Sequence, residues 1–438
     1  MNIRNILYFC VITLFIFLFN IDNSITEENE YEILKPETLG IYGNTRSLFQ
    51  APSPILRPDR SEKDIYPFYQ YLDLNISDPT HNFFSSTYLR GRKIFNGSEE
   101  SLDVYNAYLD INNINNMFDV RLGRQVITES VNYILMDGGK LTVHPIDGIE
   151  LIAFGGYQYD EIQPEPERPD ESFGLYGFFI KSDKILDSLI SVGYVIHDPE
   201  DYSARQFLNM SFNRVVPYTD YADIYAEAEV DLVEGNLASL TSGVGITVSK
   251  SIYLNLEYDN YYMDKDKDKY QLDPIYSLFS DGRMQQGKIG ATYVPKSYLE
   301  VNASYVLSYY DIPDGESTYG NIAKLGFSWD FWKEYALKAF NGFYFIEGRD
   351  SNDYAFGLNA DIAKEIYSGW QMQFAFAYAY YDKITNQDGN AFSYIIGSEY
   401  LLRRDLVLKT DLEINTNPDF NDDVRVTLGL NYYFAENI

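Results

Sequence analysis

Cysteine is almost missing from this chain: Cys10 is the only one, and it sits inside an apolar stretch near the N-terminus. Without that stretch the chain can form neither a disulfide nor a thiolate metal site. Positive charge is also scarce. Lys and Arg number 34 against 65 Asp and Glu, a formal charge of −31. Phosphate binding needs a basic surface, so a nucleic-acid partner is excluded. The three histidines, His81, His144 and His197, each stand alone, whereas metal ligation needs clusters. A Gly-x-Ser-x-Gly elbow, a His-Glu-x-x-His pair and a phosphate-binding glycine loop are all lacking. The expectation is therefore no enzyme, no cofactor and no metal.

Long apolar runs are lacking as well. Past the N-terminus none reaches the roughly 20 residues of a membrane-spanning helix. If such a chain crosses a membrane it does so as a closed barrel, because only helices and barrels satisfy the backbone in lipid. At the N-terminus Arg4, the apolar stretch Ile6–Phe19 and polar Asn20–Glu30 follow the order of a secretory signal. The other reading is an uncleaved anchor. Cys10 follows Phe9 rather than a small residue, which argues against a lipid-attached terminus. The expected organisation is a signal peptide over 1–24, a flexible periplasmic segment over 25–37 and a transmembrane β-barrel over 38–438.

What the chain does have is tyrosine, 41 residues within a 16% aromatic content. Tyrosine favours strands and membrane–water interfaces. From about residue 66 onward, runs of alternating apolar and polar residues recur, each closed by a turn. Val424, Val426, Leu428, Leu430, Tyr432 and Phe434 oppose Arg425, Thr427, Gly429 and Asn431. Met372, Phe374, Phe376, Tyr378 and Tyr380 oppose Gln371, Gln373 and three alanines. Period two marks a strand with two unlike faces. These runs are longer than the usual ~5–6 residues of soluble strands and nearer the ~9–11 of tilted membrane strands. Short turns, such as Pro145–Gly148, Lys250–Ser251 and Arg403–Asp405, alternate with longer polar loops, such as Glu161–Asp170 and Asp264–Asp281. Transmembrane barrels sort their connections in this way. Counting strands by that parity, with Thr38–Gln50 as the first, predicts an all-β antiparallel barrel of about 22 strands, within an even-numbered range of about 16 to 22.

The last run, Leu430–Asn431–Tyr432–Tyr433–Phe434, resembles the terminal strand of the bacterial outer-membrane barrel superfamily, though four residues follow Phe434. The resemblance implies that the assembly machinery reads this strand. Tyr105–Asp110, Phe118–Gln125, Met136–Gly138 and Ala153–Gly156 resemble the early hairpins of porin-like barrels, including those related to alginate exporters. That resemblance implies a channel or export barrel in the outer membrane and names no substrate.

On the polar faces lie the pore-lining candidates Arg90, Arg92, Asp103, Asp110, Arg121, Lys140, Glu150, Glu227, Glu229, Asp231, Glu257, Asp259, Lys409, Asp411, Glu413 and Arg425. Opposed charges around a lumen set a transverse field that selects solutes; alternatively they pair across strands and fill the interior. The aromatics Tyr157, Tyr159, Tyr258, Tyr262, Tyr309, Trp329, Trp332, Tyr380, Tyr432 and Phe434 fall near strand ends, as membrane-interface girdles do. Arg124 shares parity with Val120 and Leu122, so it either sits near the outer interface or is turned inward by a bulge at Gly123. The run Asp264–Asp268 begins like a calcium loop, but Lys269 and Ile275 stand where Gly and Glu are required.

The function expected is a porin-like channel for small hydrophilic solutes, with an acidic, cation-preferring lumen. The alternative is a structural barrel that houses or docks a partner for polymer export or electron transfer. Expected partners are outer-membrane lipid and lipopolysaccharide, the assembly machinery and small solutes, with a homo-oligomer also open.

Overall fold

The computed structural model describes residues 39–437 apart from 52, 57–61, 98, 130–133, 159–172, 200–203, 217–220, 263–282, 311–317, 332–336, 348–353, 383–388 and 417–422. The expected signal peptide and the segment 25–37 therefore lie outside the described residues, as do Tyr159, Trp332 and the loops Glu161–Asp170 and Asp264–Asp281.

Alternation of branched or aromatic residues with small or polar ones favours extended chain, because only a strand puts successive side chains on opposite sides. In chain order the strands are β1 (Gly40–Ala51), β2 (Ser53–Leu56), β3 (Glu62–Ile65), β4 (Pro67–Asp78), β5 (Phe83–Ile94) and β6 (Glu100–Ile114). They continue as β7 (Phe118–Ile127), β8 (Ile134–Ile146), β9 (Ile149–Gln158), β10 (Phe173–Ser182), β11 (Leu189–Pro199) and β12 (Arg205–Val215). Next come β13 (Ala222–Asp231), β14 (Asn236–Ser249), β15 (Ile252–Tyr262), β16 (Arg283–Lys296), β17 (Leu299–Tyr310) and β18 (Thr318–Phe331). The last are β19 (Leu337–Glu347), β20 (Tyr354–Tyr367), β21 (Trp370–Asp382), β22 (Gly389–Arg403), β23 (Leu406–Thr416) and β24 (Asp423–Asn437).

All except β2 and β3 belong to one 22-stranded antiparallel sheet. Each strand pairs with its neighbours in sequence, and β1 pairs with β24 from Gly40↔Asn437 to Ala51↔Val426. The sheet is thus closed, as the parity count predicts, with no open edge. The hairpin β2–β3 is a separate two-stranded sheet inserted between β1 and β4; its strands are too short to show alternation, and no sequence pattern marked it. Tight turns such as Lys250–Ser251 and Ser368–Gly369 gather at one end of the barrel. The connection Leu232–Gly235 lies at the opposite end yet is short, turning through Gly235 at φ 69°.

Cross-strand partners share a face, so register carries the two faces around the wall. Leu430 faces Ser47, Thr45 faces Leu72, and Leu72 faces Leu89. Arg46 faces Tyr71, and Tyr71 faces Arg90. The first set continues through Leu122, Phe178, Val192 and Ile289, which are 53%, 45%, 44% and 52% exposed. The second contains fully buried Gln125, Met136, Leu175, Phe179, Val195 and Asp231. A concave wall crowds its side chains and a convex wall spreads them. The polar face is the inner one.

Inner-face aromatics lie flat against glycines of the adjacent strand. Phe154 covers Gly177, Phe179 covers Gly193, Tyr225 covers Gly243 and Tyr344 covers Gly357, where an added Cβ would meet the ring at 2.1 to 2.4 Å. At Gly43, in the seam, a Cβ would stand 2.0 Å from the Asp73 carbonyl oxygen, whereas at Gly287 it would meet nothing within 4 Å. Gly43→Ala is expected to lower barrel stability by roughly 1–3 kcal/mol, and Gly287→Ala to change it by less than about 0.5 kcal/mol. Urea unfolding of the barrel in lipid vesicles, followed by tryptophan fluorescence, checks the pair; equal midpoints would remove the seam from the account.

Candidate functional site

The enclosed face is where charge, aromatic surface and hydrogen-bonding groups converge. Register places every charged candidate from Arg90 to Arg425 on it: Arg90 opposes Asp103, Arg121 opposes Asp110 and Lys140, Glu227 opposes Ser211 and Thr241, and Glu413 opposes Arg425. The aromatic candidates Tyr157, Tyr258, Tyr309, Trp329, Tyr380, Tyr432 and Phe434 lie on the other face. Tyr262 ends β15.

Two unlike arcs make up the inner wall. From β1 to β8 it is arginine interleaved with tyrosine. The Arg46 guanidinium stands 4.3 Å from the Tyr71 ring centroid; Tyr71 stacks on Tyr88 at 6.2 Å, and Tyr88 meets Tyr105 at 5.1 Å. Arg90 lies over Tyr105 and donates to Asp103 at 2.9 Å. Arg121 lies 4.3 Å over Tyr108 and forks onto Asp110 at 2.6 and 2.7 Å. Planar guanidinium groups suit both the ring faces and the carboxylates. At the tight-turn end His144 Nε2 is 2.7 Å from Asp119.

From β13 onward carboxylates dominate. Arg205 reaches Asp231 at 2.5 Å, Lys288 reaches Glu257 at 3.0 Å, and the Tyr225 hydroxyl donates to the same Glu257. Thr241 donates to Asp259 at 2.8 Å. Among the described residues Glu227 and Asp411 have no ion pair, while Arg425 stands 3.9 Å from Glu413. A recess of about 850 Å³ near the seam is lined by Asp73, Glu365 and Glu399 together with Tyr42, Asn44 and Asn75, and by no Lys or Arg. Among the described residues, cross-strand ion pairs gather in the arginine arc, while Glu227, Asp411 and the recess carboxylates have none.

Arg124 stays on the face of Leu122. The β7–β8 register runs unbroken through Gly123 and sets Arg124 opposite Asp137, so no bulge turns it inward. It stands three residues from the end of β7, forks onto Asp137 at 2.6 and 2.5 Å and donates to the Val104 carbonyl at 2.9 Å. An unpaired arginine on such a face would cost about 2–4 kcal/mol at the membrane midplane; neutralisation and a position near the rim remove most of that.

Several inner-face groups escape a sequence reading. Lys181 shares a face with Phe179, and Arg46 lies in a strand whose alternation is blurred by Thr45 and Ser47 on its outer side. Glu129 follows the end of β7 in a connecting loop, yet its side chain is only 5% exposed and lies 3.0 Å from Lys140 and 3.8 Å from Lys181. Burial alone would raise the Glu129 carboxyl; the charge and hydrogen bond of Lys140, with Lys181, hold it below the usual carboxylate range. A lowered carboxyl keeps its pair at neutral pH and loses it only as pH falls through the lowered value.

The fold so described is a closed, 22-stranded antiparallel β-barrel. No family model matches the chain, and no curated protein matches it. Among solved structures it is similar to the ferric enterobactin receptor PfeA of Pseudomonas aeruginosa, with a TM-score of 0.60 at 10% identity over 90% of this chain and 81% of that one. It is likewise similar to the siderophore receptor PirA of Acinetobacter baumannii, with a TM-score of 0.58 at 9% identity over 90% of this chain and 80% of that one. OccK11 (OpdR) of Pseudomonas aeruginosa aligns over 93% of this chain and 100% of its own at 10% identity, with a TM-score of 0.41. At these identities the shared property is the barrel itself.

Asp110 is buried and forked by Arg121, so Arg121→Ala would leave a carboxylate without its partner. The expected cost is roughly 1–3 kcal/mol. Arg121→Lys restores charge without the fork and is expected to fall between the two. Urea midpoints of the three proteins check the order.

Proposed function

We propose that this chain is a porin-like channel of the outer membrane, passing small hydrophilic solutes by diffusion through a polar lumen that prefers cations. The single observation that supports it is the separation of faces: charged candidates share the enclosed side and large apolar residues share the exposed side around a closed 22-stranded wall. An apolar exterior suits lipid, and a wall that leaves no backbone edge suits a membrane crossing. The aromatics at strand ends serve as interface girdles, and the charged candidates line the passage. The mechanism involves no covalent step.

Cation preference follows from the unbalanced arc. Glu227, Asp411 and the recess carboxylates Asp73, Glu365 and Glu399 have no ion pair among the described residues; Asp73 accepts from Asn44 and Asn75, and Glu365 from the Gly369 N–H. Such charges raise the local concentration of cations over a Debye length of about 10 Å at 0.1 M salt. Arg90 and Arg121 are already paired with Asp103 and Asp110, so they offset less of that field.

Planar-bilayer recording under a potassium chloride gradient tests the proposal. The wild-type barrel is expected to give steady conductance with a cation-side reversal potential. Glu227→Gln combined with Asp411→Asn is expected to move that potential toward zero without abolishing conductance. A folded, inserted barrel that passes no current would overturn the channel reading in favour of a barrel that houses a partner. Conductance with an anion-side potential would overturn the cation preference alone.

A further inference from the structure

The recess of about 850 Å³ near the seam is extended around the wall. It runs from β4 through β1, β24, β23, β22 and β21 to β20, toward the tight-turn end of the barrel. Asp73 comes from β4, Glu399 from β22 and Glu365 from β20. Asp73 and Glu399 are four strand steps apart, which sets their backbones about 19 Å apart around the wall at a spacing of about 4.8 Å. Glu399 and Glu365 are two steps apart, or about 10 Å. Carboxylates so spread do not close on one metal ion, whose oxygen ligands stand at roughly 2–2.6 Å. Among the described residues no three such groups are placed to hold one. Their spacing suits a flexible chain that carries positive centres at intervals.

The aromatic lining is a second and independent feature. Tyr42 and Tyr433 lie an even number of residues from Arg46 and Arg425, hence on the inner face. They are 39% and 45% exposed, and neither ring meets another ring or a guanidinium among the described residues. In the arginine arc the rings are covered: Tyr71 by Arg46 and Tyr88, and Tyr108 by Arg121. Open ring faces beside carboxylates attract a cation through the π face and the charge together. No Lys or Arg lines the recess. Lys409 opposes Glu399 in register but forms no ion pair with it among the described residues. We propose that this recess binds linear polyamines, with ammonium groups on Asp73, Glu399 and Glu365 and methylene segments against Tyr42 and Tyr433. The inference deepens the channel reading, on which it rests for access to the lumen, by naming one class of cation that the inner wall holds. Asn44 and Asn75 donate to Asp73 at 3.2 and 2.9 Å, and the Gly369 N–H donates to Glu365 at 3.3 Å. These neutral donors orient the carboxylates without cancelling their charge.

Isothermal titration of the detergent-solubilised full barrel with spermine, at fixed ionic strength, reads this binding without requiring conduction. A barrel that conducts but binds no spermine would overturn this inference and leave the channel reading standing. A barrel that binds spermine but does not conduct would support this inference while overturning the channel reading. Spermine is expected to bind at least about tenfold more tightly than putrescine, because its further ammonium groups engage carboxylates already within reach. Glu365→Gln with Glu399→Gln keeps side-chain volume and is expected to weaken spermine at least about tenfold. Tyr42→Leu with Tyr433→Leu removes no charge and is expected to weaken it about threefold or more. Asp147 and Asp187 are exposed residues of turns at the same end of the barrel. Asp147→Asn with Asp187→Asn removes as much charge outside the recess and is expected to stay within about twofold of wild type, as exposed charges are screened. Heat-modified gel mobility confirms that each variant is folded. Equal loss in the turn variant and the glutamine variant would reduce the effect to diffuse counter-ion attraction and overturn the site. Magnesium ion that displaces spermine at equal charge concentration would do the same. Unchanged affinity in the folded tyrosine variant would remove the rings from the site. Maltotriose binding without spermine binding would overturn the ligand class.

Discussion

Closure of the backbone ladder is the constraint on which everything else rests. β1 and β24 pair along their whole shared length, so no strand presents unpaired N–H and C=O groups. In a hydrocarbon medium each such group costs several kcal/mol, and a wall with one open seam would be worse than no wall. Once the sheet closes, inside and outside become fixed properties of every residue. A shift of one residue at any pair would exchange them. The residues at the seam show how narrow the tolerance is: Gly43 sits where even a methyl group would collide with the Asp73 carbonyl.

Closure also explains how a chain with so many carboxylates holds its interior together. Arginine and tyrosine interleave on the wall from β1 to β8, and Arg46, Arg90 and Arg121 each meet a ring or a carboxylate on an adjacent strand. The flat packing of phenylalanine and tyrosine over glycines on neighbouring strands keeps bulky side chains against the wall. The acidic excess is left to the other arc and to the recess near the seam. An interior divided in this way pairs its charges on one side and leaves carboxylates without ion pairs, among the described residues, on the other.

Glu129 adds a third element, because a connection rather than a strand contributes it. It shows that the inner surface is more than the sum of inward-facing strand positions, and that a loop supplies charge to it. Lys140 and Lys181 are neutralised where they stand by that loop carboxylate.

Much of the fold was legible in the residue pattern. Alternation in stretches such as Val424–Phe434 and Met372–Tyr380 specified strands, their two faces and, through the parity of turns, the strand number, because period two is a local property of the chain. The candidate charges were legible for the same reason: Arg121, Glu227 and Asp411 sit at odd steps from apolar neighbours. Pairing was not. Arg121 meets Asp110, Arg124 meets Asp137 and Glu129 meets Lys140 and Lys181 through register, strand order and the path of one connection, none of which leaves a periodic trace. The hairpin β2–β3 escaped because four-residue strands are too short to display a period. The amino-acid order alone therefore decided that this chain forms a two-faced wall, since the alternation resides in each strand separately. Only the closed tertiary structure decided which charges neutralise one another, since that depends on distances between strands remote in sequence.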